Sequence, residues 1–253
     1  MKQFFLFLGL SAVLFGCNKE KHFGGPNAFS DDFESYASFD ELVVDNDVYW
    51  SATQQTYDVN SITLSTEHAH SGTTSLKFDA VVSTEEKLSK CSLFKQKMAF
   101  YDGETVRSSV WYYIDGEQEL DWLFLLDLEE QTPVGAGPGI RVANVGSGNY
   151  GAVEFKFKEG NLEQQSHSFP RNQWFKITLE THLSQKKKGW VRLFLDDELI
   201  IEEKNTRTLP KDVLYNLQGT KGMYTSIEIG ITANSFSNDA VVYADDFSIE
   251  LVD

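Results

Sequence analysis

Apolar and polar residues alternate along most of the chain beyond its first segment. Every second position is apolar or aromatic in the segments 75–81, 106–114, 152–158 and 174–180, except for a serine at position 108. A period of two is that of a β-strand with one face buried. Asp-Gly, Glu-Gly-Asn and Asp-Asp sequences separate the segments and supply turn residues. The pattern predicts a single all-β sandwich of antiparallel strands over residues 29–253.

The beginning of the chain follows a different pattern. Residues 4–15 are an apolar run that is too short to cross a bilayer and is typical of a signal-peptide core. The run ends in Leu-Phe-Gly-Cys, which resembles the lipobox of bacterial lipoproteins. The resemblance implies that residues 1–16 are removed, that Cys17 is lipidated, and that residues 17–28 tether the domain. The residue after the cysteine is not aspartate, which favours the outer membrane of the cell envelope.

Composition and charge narrow the range of partners. The chain has 22 basic and 38 acidic residues, a net charge of −16, and 13% aromatic residues. Binding to phosphates requires clustered lysine and arginine, so this balance argues against nucleic acid. If Cys17 is lipidated, Cys91 has no intrachain partner, and the core alone must stabilise the exported domain. We expect a monomer that contacts the membrane through its lipid anchor only.

One hairpin indicates a particular kind of sandwich. The strand at 174–180 is followed by a basic turn and by the strand Trp-Val-Arg-Leu-Phe-Leu-Asp-Asp-Glu-Leu-Ile-Ile at 190–201. This hairpin resembles that of concanavalin A-like jelly rolls, which include laminin-G-like modules, legume-type lectins and several polysaccharide lyases. The resemblance extends loosely over the rest of the chain. It implies a two-sheet antiparallel jelly roll.

Three short motifs resemble the calcium site of carbohydrate-binding jelly-roll modules. They are Phe33-Glu34, Ser71-Gly72-Thr73-Thr74-Ser75-Leu76 and Asp245-Asp246-Phe247-Ser248-Ile249. The resemblance implies a structural Ca²⁺ ion between the first and last strands. Its ligands would be side-chain oxygens of Glu34 and Asp245 and backbone carbonyls of the turn and its surroundings, at Asp32, Gly72 and Ser75. Hard oxygen ligands of this kind suit calcium.

Asp245 also has an interpretation that needs no metal. It interrupts the apolar face of the last strand, and a buried carboxylate is costly unless it is paired or hydrogen-bonded. In the alternative, Asp245 accepts hydrogen bonds from turn amides and Glu34 is a surface acid. Either arrangement joins the two ends of the sandwich.

The alternation over 106–114 also predicts a binding surface. One face of this strand is apolar, and the other combines flat rings with an arginine and a hydroxyl, as sugar sites do. We predict a carbohydrate-binding groove on the concave sheet made by Arg107, Ser109, Trp111, Tyr113, Arg141 and Lys156. A shift of register by one residue would instead bury Trp111 and expose Tyr112. Trp122, within an apolar run, is expected in the core.

Catalytic motifs of this fold are not evident in the sequence. Glycoside hydrolases carry Glu-x-Asp-x-x-Glu on one strand, and Asp127-Leu-Glu129-Glu130 comes nearest without that spacing. Polysaccharide lyases of this fold often read Lys-x-Gly-Ile-Tyr, whereas this chain has Glu-Ile-Gly-Ile-Thr at 228–232. A catalytic base and a cationic clamp that neutralises the uronate carboxylate could still come from Arg107, Tyr113, Arg141 and His167.

The sequence therefore predicts a non-catalytic polysaccharide-binding protein. A polysaccharide lyase or glycoside hydrolase of the same fold is the first alternative. An envelope scaffold or adhesion protein without a sugar site is the second.

Overall fold

The computed structural model describes residues 25–44, 48–132, 135–158, 161–210 and 223–253. Strands make up more than half of this part of the chain, which has one short helix, α1 at Phe39–Leu42. The strands are β1 Phe29–Asp31, β2 Ala52–Gln55, β3 Ser61–Ser65, β4 Ser75–Ala80, β5 Cys91–Lys95, β6 Phe100–Tyr101, β7 Thr105–Ile114, β8 Trp122–Thr132, β9 Gly135–Val145, β10 Tyr150–Phe155, β11 Asn161–Ser168, β12 Trp174–His182, β13 Gly189–Leu195, β14 Glu198–Thr206, β15 Met223–Tyr224, β16 Ser226–Asn234 and β17 Ala240–Val252.

Two large antiparallel sheets build the sandwich. The eight-stranded sheet has the order β14-β13-β12-β7-β17-β4-β3, and β1 also pairs with β17. The seven-stranded sheet has the order β11-β10-β9-β8-β16-β5-β2, while β6 and β15 form a separate pair. The predicted all-β sandwich is confirmed. The first strand lies against the last, with Phe29 opposite Ile249 and Asp31 opposite Phe247.

Side chains from both sheets meet in one apolar core. On β7 the inward residues are almost fully buried, and they include Val110, Tyr112 and Ile114. The intervening residues of β7, among them Trp111, are partly or fully exposed on the other side. The buried hydroxyl of Tyr112 donates a hydrogen bond to the carbonyl of Leu125. The register predicted from alternation is therefore confirmed, and the shifted alternative is wrong.

Gly230 lets β16 pass the ring of Phe78. Its φ is +103°, and a Cβ atom at this position would lie 2.4 Å from that ring. Gly103 is a matched control, because its φ is +96° but nothing lies within 4 Å of a Cβ atom there. We expect Gly103→Ala to lower the free energy of unfolding by about 1 kcal/mol through backbone strain. Gly230→Ala should cost clearly more, because a packed ring must also move.

Denaturant unfolding of the two variants measures this difference. Equal losses of stability would contradict the prediction, since they would mean that Phe78 moves aside at no cost.

The predicted signal peptide at residues 1–16 and the lipidated Cys17 lie outside the described residues, as does most of the tether at 17–28. They stay predictions, together with the outer-membrane location and the monomeric state. Within the described ranges, no helix has the length and apolar character needed to span a membrane.

Candidate functional site on the seven-stranded sheet

The six residues predicted to bind carbohydrate lie on two different sheets. Arg107, Ser109, Trp111 and Tyr113 are on β7 of the eight-stranded sheet, whereas Arg141 is on β9 and Lys156 directly follows β10 of the seven-stranded sheet. The outer faces of a sandwich point in opposite directions, so the single groove predicted from the sequence is wrong. The alternative base-and-clamp set is divided in the same way, and His167 lies apart on β11, with Nε2 3.2 Å from Glu198.

The aromatic surface of β7 is covered by the turn between β3 and β4. The ring of His70 stacks on Trp111 with a centroid distance of 3.7 Å, and His68 stacks on Tyr113 at 4.2 Å. The ring faces that a sugar would use are therefore in contact with imidazoles. Carbohydrate binding by the outer face of β7 stays a prediction.

Glu34, a predicted calcium ligand, lies against the same turn. Its carboxylate accepts hydrogen bonds from the backbone amides of Thr73 at 2.9 Å and Thr74 at 2.7 Å. These donors lower its pKa. Gly72 makes the approach possible, because a Cβ atom there would lie 2.4 Å from the carboxylate carbon of Glu34. Asp32 accepts a hydrogen bond from the Glu34 amide at 3.2 Å. The first two motifs therefore meet, and hydrogen bonds join them.

Asp245 reaches the turn from the last strand. It is fully buried, and it accepts hydrogen bonds from the amides of His70 at 2.8 Å and Ser71 at 3.2 Å. Burial raises the pKa of Asp245 to about 6. Ser75 donates its hydroxyl to a carbonyl of the turn at 2.6 Å. This is the arrangement that the sequence left open as the alternative to a metal. The oxygens of both acids face N–H or O–H donors, and the calcium ion stays a prediction.

Three buried acids lie together on the outer face of the seven-stranded sheet. Asp127 and Glu129 are alternate residues of β8, and Glu228 on β16 is directly opposite Asp127. One oxygen of each lies within 4.8 Å of the others, and the residues are 2–3% exposed. We call these three residues the acid cluster. The spacing of the two β8 acids matches no hydrolase motif, and the third acid comes from β16, which is distant in the sequence.

Lys156 supplies positive charge to the acid cluster. Its ammonium is hydrogen-bonded to Glu129 and lies 3.4 Å from Asp127 Oδ2, and its side chain is 16% exposed. Within the described ranges, the acid cluster is the group of side chains that could hold a metal ion. The ammonium of Lys156 lies next to two of the three carboxylates, those of Asp127 and Glu129.

Burial and mutual repulsion raise the pKa of two of these acids. Desolvation, followed by repulsion from Asp127, raises the pKa of Glu129 to about 7. The same two causes raise the pKa of Glu228 to about 8, against a hydrogen bond donated by Ser92. Both carboxyl groups therefore keep a proton to a higher pH than an ordinary glutamate does. A proton donor beside a proton acceptor is the arrangement that acid–base catalysis requires.

Arg141 lies next to the acid cluster on the same face. It is opposite Asp127 in the β8–β9 register, and it pairs with Glu154 at 2.8 Å. Its guanidinium lies 3.7 Å above the ring of Phe124. Its buried Nε has no hydrogen-bond partner among the described residues. A planar guanidinium with a spare donor is suited to a carboxylate or hydroxyl group of a ligand.

Aromatic side chains extend this face beyond Arg141. Trp122 meets Phe124 and Phe236 with centroid distances of 5.5 Å in both cases, and Tyr150 packs beside them. Phe236 is 48% exposed and Trp122 is partly exposed, so the expectation that Trp122 belongs to the core is wrong. The residues around Trp122 are apolar on both faces of β8. The sequence therefore shows no alternation there that would distinguish outward from inward residues. We call these four residues the aromatic patch.

No family model and no curated protein matches the sequence. Among solved structures, the endo-β-1,4-glucuronan lyase of the fungus Trichoderma reesei aligns with 79% of this chain and 90% of its own, at a TM-score of 0.63 and 12% identity. Alginate lyase Aly36B aligns with 90% of this chain and 98% of its own, at a TM-score of 0.61 and 8% identity. The cellulose induced protein Cip1 aligns with 87% of this chain and 96% of its own, at a TM-score of 0.58 and 15% identity. The fold is a jelly-roll sandwich of two antiparallel sheets, as the sequence predicted.

Proposed function

We propose that the protein binds a polysaccharide on the outer face of the seven-stranded sheet and cleaves it by acid–base catalysis at the acid cluster. The observation that carries the proposal is the proximity of three buried acids, two of which have a pKa near neutrality. Burying charged groups without full compensation costs stability, so such a cluster is more readily explained by function than by folding. The likeness of the fold to polysaccharide lyases supports the substrate class.

The reaction that suits these groups is β-elimination from a uronate unit. A base removes the proton at C5, a double bond forms between C4 and C5, the C4–O bond breaks, and an acid protonates the departing oxygen. In the proposed mechanism Glu129 takes the proton beside Lys156, and Glu228 donates one. The guanidinium of Arg141, whose side chain is 22% exposed, would bind the uronate carboxylate and make the C5 proton more acidic.

Binding without cleavage is the second candidate. Thr232 stands where lyases of this fold often carry a tyrosine, and its hydroxyl donates a hydrogen bond to Asp127 at 2.8 Å. The observation that favours this candidate is that position 232 offers the hydroxyl of a threonine instead of the phenol of a tyrosine. In that case the same sheet face would hold the polysaccharide and break no bond.

One experiment separates the two candidates. The full-length protein is incubated with glucuronan, alginate and a neutral glucan. Ultraviolet absorbance from an unsaturated product supports the lyase, and retardation in affinity gels without absorbance supports binding alone. If none of the three polymers is cleaved or retarded, both candidates are wrong and a scaffold role is favoured.

A Ca²⁺ ion between Glu34 and Asp245 is a separate proposal, as are lipidation of Cys17 and the envelope location. If the ion binds, a chelator should lower Tm and added Ca²⁺ should restore it, whereas Glu34→Gln should lose this response. A Tm that a chelator leaves unchanged would contradict the proposal. The hydrogen bonds to the turn at 70–74 would then be the link between the two ends of the chain.

A further inference from the structure

We propose that the aromatic patch binds sugar units adjoining those at the acid cluster, so that the protein favours long polysaccharides over short oligosaccharides. This inference rests on the proposed function. It adds a second binding region to the site of reaction, made of the exposed rings of Trp122, Tyr150 and Phe236 and supported from below by the buried ring of Phe124.

The register of four strands places this region next to the reactive groups. One row across the outer face of the sheet consists of Glu228, Asp127, Arg141 and Glu154. The next row on that face consists of Ala233, Phe124, Ala143 and Ala152, and a third has Trp122, Val145 and Tyr150. Neighbouring rows on one face are about 7 Å apart. A polysaccharide lying along β8 and β9 therefore crosses from charged groups to aromatic rings within a few sugar units.

Arg141 makes the two regions continuous. It is opposite Asp127 across the strands, and its guanidinium covers the ring of Phe124 at 3.7 Å. Because Arg141 is opposite Asp127 in the strand register and its guanidinium covers Phe124, both regions lie on the same sheet face. A ligand at the acid cluster that extends past Arg141 along β8 comes to Phe124 and then to Trp122.

Folding alone does not account for the exposure of the aromatic patch. Phe236 is 48% exposed, and Trp122 and Tyr150 are partly exposed on the same surface. Contiguous exposed apolar surface of this kind is rare on soluble proteins and usually marks a binding site. The Tyr150 ring lies so close to Gly148 that a Cβ atom there would be 2.2 Å from it, so the backbone of the 146–149 turn supports the ring.

The chemistry of the patch fits the apolar C–H faces of sugar rings. Tryptophan, tyrosine and phenylalanine present flat rings with large contact areas and little flexibility. The occupant is therefore a continuation of the chain held at the acid cluster. Stacking of this kind contacts the uncharged face of a sugar ring. It therefore strengthens binding as the number of sugar units grows and depends little on which substituents they carry.

The test compares polymers with their trisaccharides. Phe236→Ala and Trp122→Ala should each lower kcat/KM for polymeric glucuronan or alginate by roughly threefold to tenfold, the value of one aromatic contact. Each change should lower kcat/KM for the trisaccharide less, because fewer of its sugar units extend beyond the acid cluster. Tyr49→Ala is the matched control, because Tyr49 is 37% exposed and its ring packs against Tyr36 instead of against the aromatic patch. Phe236 is the primary variant, since its exposure makes a folding defect unexpected.

Failure of this inference differs from failure of the proposed function. Cleavage that Phe236→Ala and Trp122→Ala leave unchanged on polymers, or reduce equally on trisaccharides, would overturn the inference and keep the reaction. Retardation in affinity gels that depends on these two rings, without any unsaturated product, would support the aromatic patch and refute the catalytic proposal. Polymers that neither bind nor react would refute both.

Discussion

Replacement of Glu228 by glutamine should lower kcat by roughly 10²–10⁴-fold on any polysaccharide that the protein cleaves. The amide keeps the shape of the side chain and can still accept the hydrogen bond from Ser92, but it has no acidic proton to donate. KM should change little, because Arg141 and the aromatic patch still bind the substrate. Steady-state kinetics with a polymeric substrate, followed through the absorbance of the unsaturated product, measures both constants.

Glu180→Gln is the matched control for this prediction. Glu180 is a carboxylate of similar burial, 7% exposed, but it lies on the eight-stranded sheet, where it pairs with Arg107 at 2.7 Å. It should lose at most the stability contributed by that ion pair and keep kcat. An unchanged kcat in Glu228→Gln would contradict the catalytic role. An equal loss in both variants would point to folding rather than to chemistry.

The free energy of unfolding should contain a component that falls as the pH rises from about 4.5 to about 8. Glu228 has an ordinary pKa of 4.5 in the unfolded chain and about 8 in the folded protein. Between these values the folded state keeps a proton that the unfolded state has released. Each such group lowers the stability by up to about 1.4 kcal/mol per pH unit in that window. Glu129 adds the same effect up to its own pKa of about 7.

Urea unfolding of wild type and Glu228→Gln at several pH values between about 4 and about 8 measures this component. The variant should lose stability less steeply than the wild type across the window. The two curves should become parallel below about pH 4.5, where the carboxyl group is protonated in both states. Other acids with raised pKa values, such as Asp245, act equally in both proteins and cancel in the comparison. Parallel curves across the whole range would contradict the assignment of Glu228 as a buried proton carrier.

Local sequence patterns predict much of the fold, because the alternation along a strand shows which of its residues lie on the buried face. The alternation around Tyr112 identifies it as buried and Trp111 as outward, and the structure agrees. The meeting of Glu34, Gly72 and Asp245 was also predicted, since these motifs belong to strands at the two ends of a closed sandwich. The same reasoning failed for Trp122, because a strand that is apolar on both faces has no alternation to read.

The candidate site could not be predicted in the same way. Asp127 and Glu228 become neighbours only because β8 and β16 pair in the seven-stranded sheet. In the sequence, each looks like an ordinary acid on a strand. Arg141 and Trp111 show the opposite error: both face outward from their strands, but they belong to different sheets.

By itself, the sequence determined that this chain is an antiparallel sandwich, which residues of each strand face the core, and that its two ends meet. Those properties follow from the two-residue period of a strand and from short motifs, which are local. Only the tertiary structure decided which strands are neighbours, and therefore which outward side chains share a surface. Strand order depends on contacts between segments far apart in the chain, and the pKa values of Glu129 and Glu228 depend on the burial and charge that this order creates.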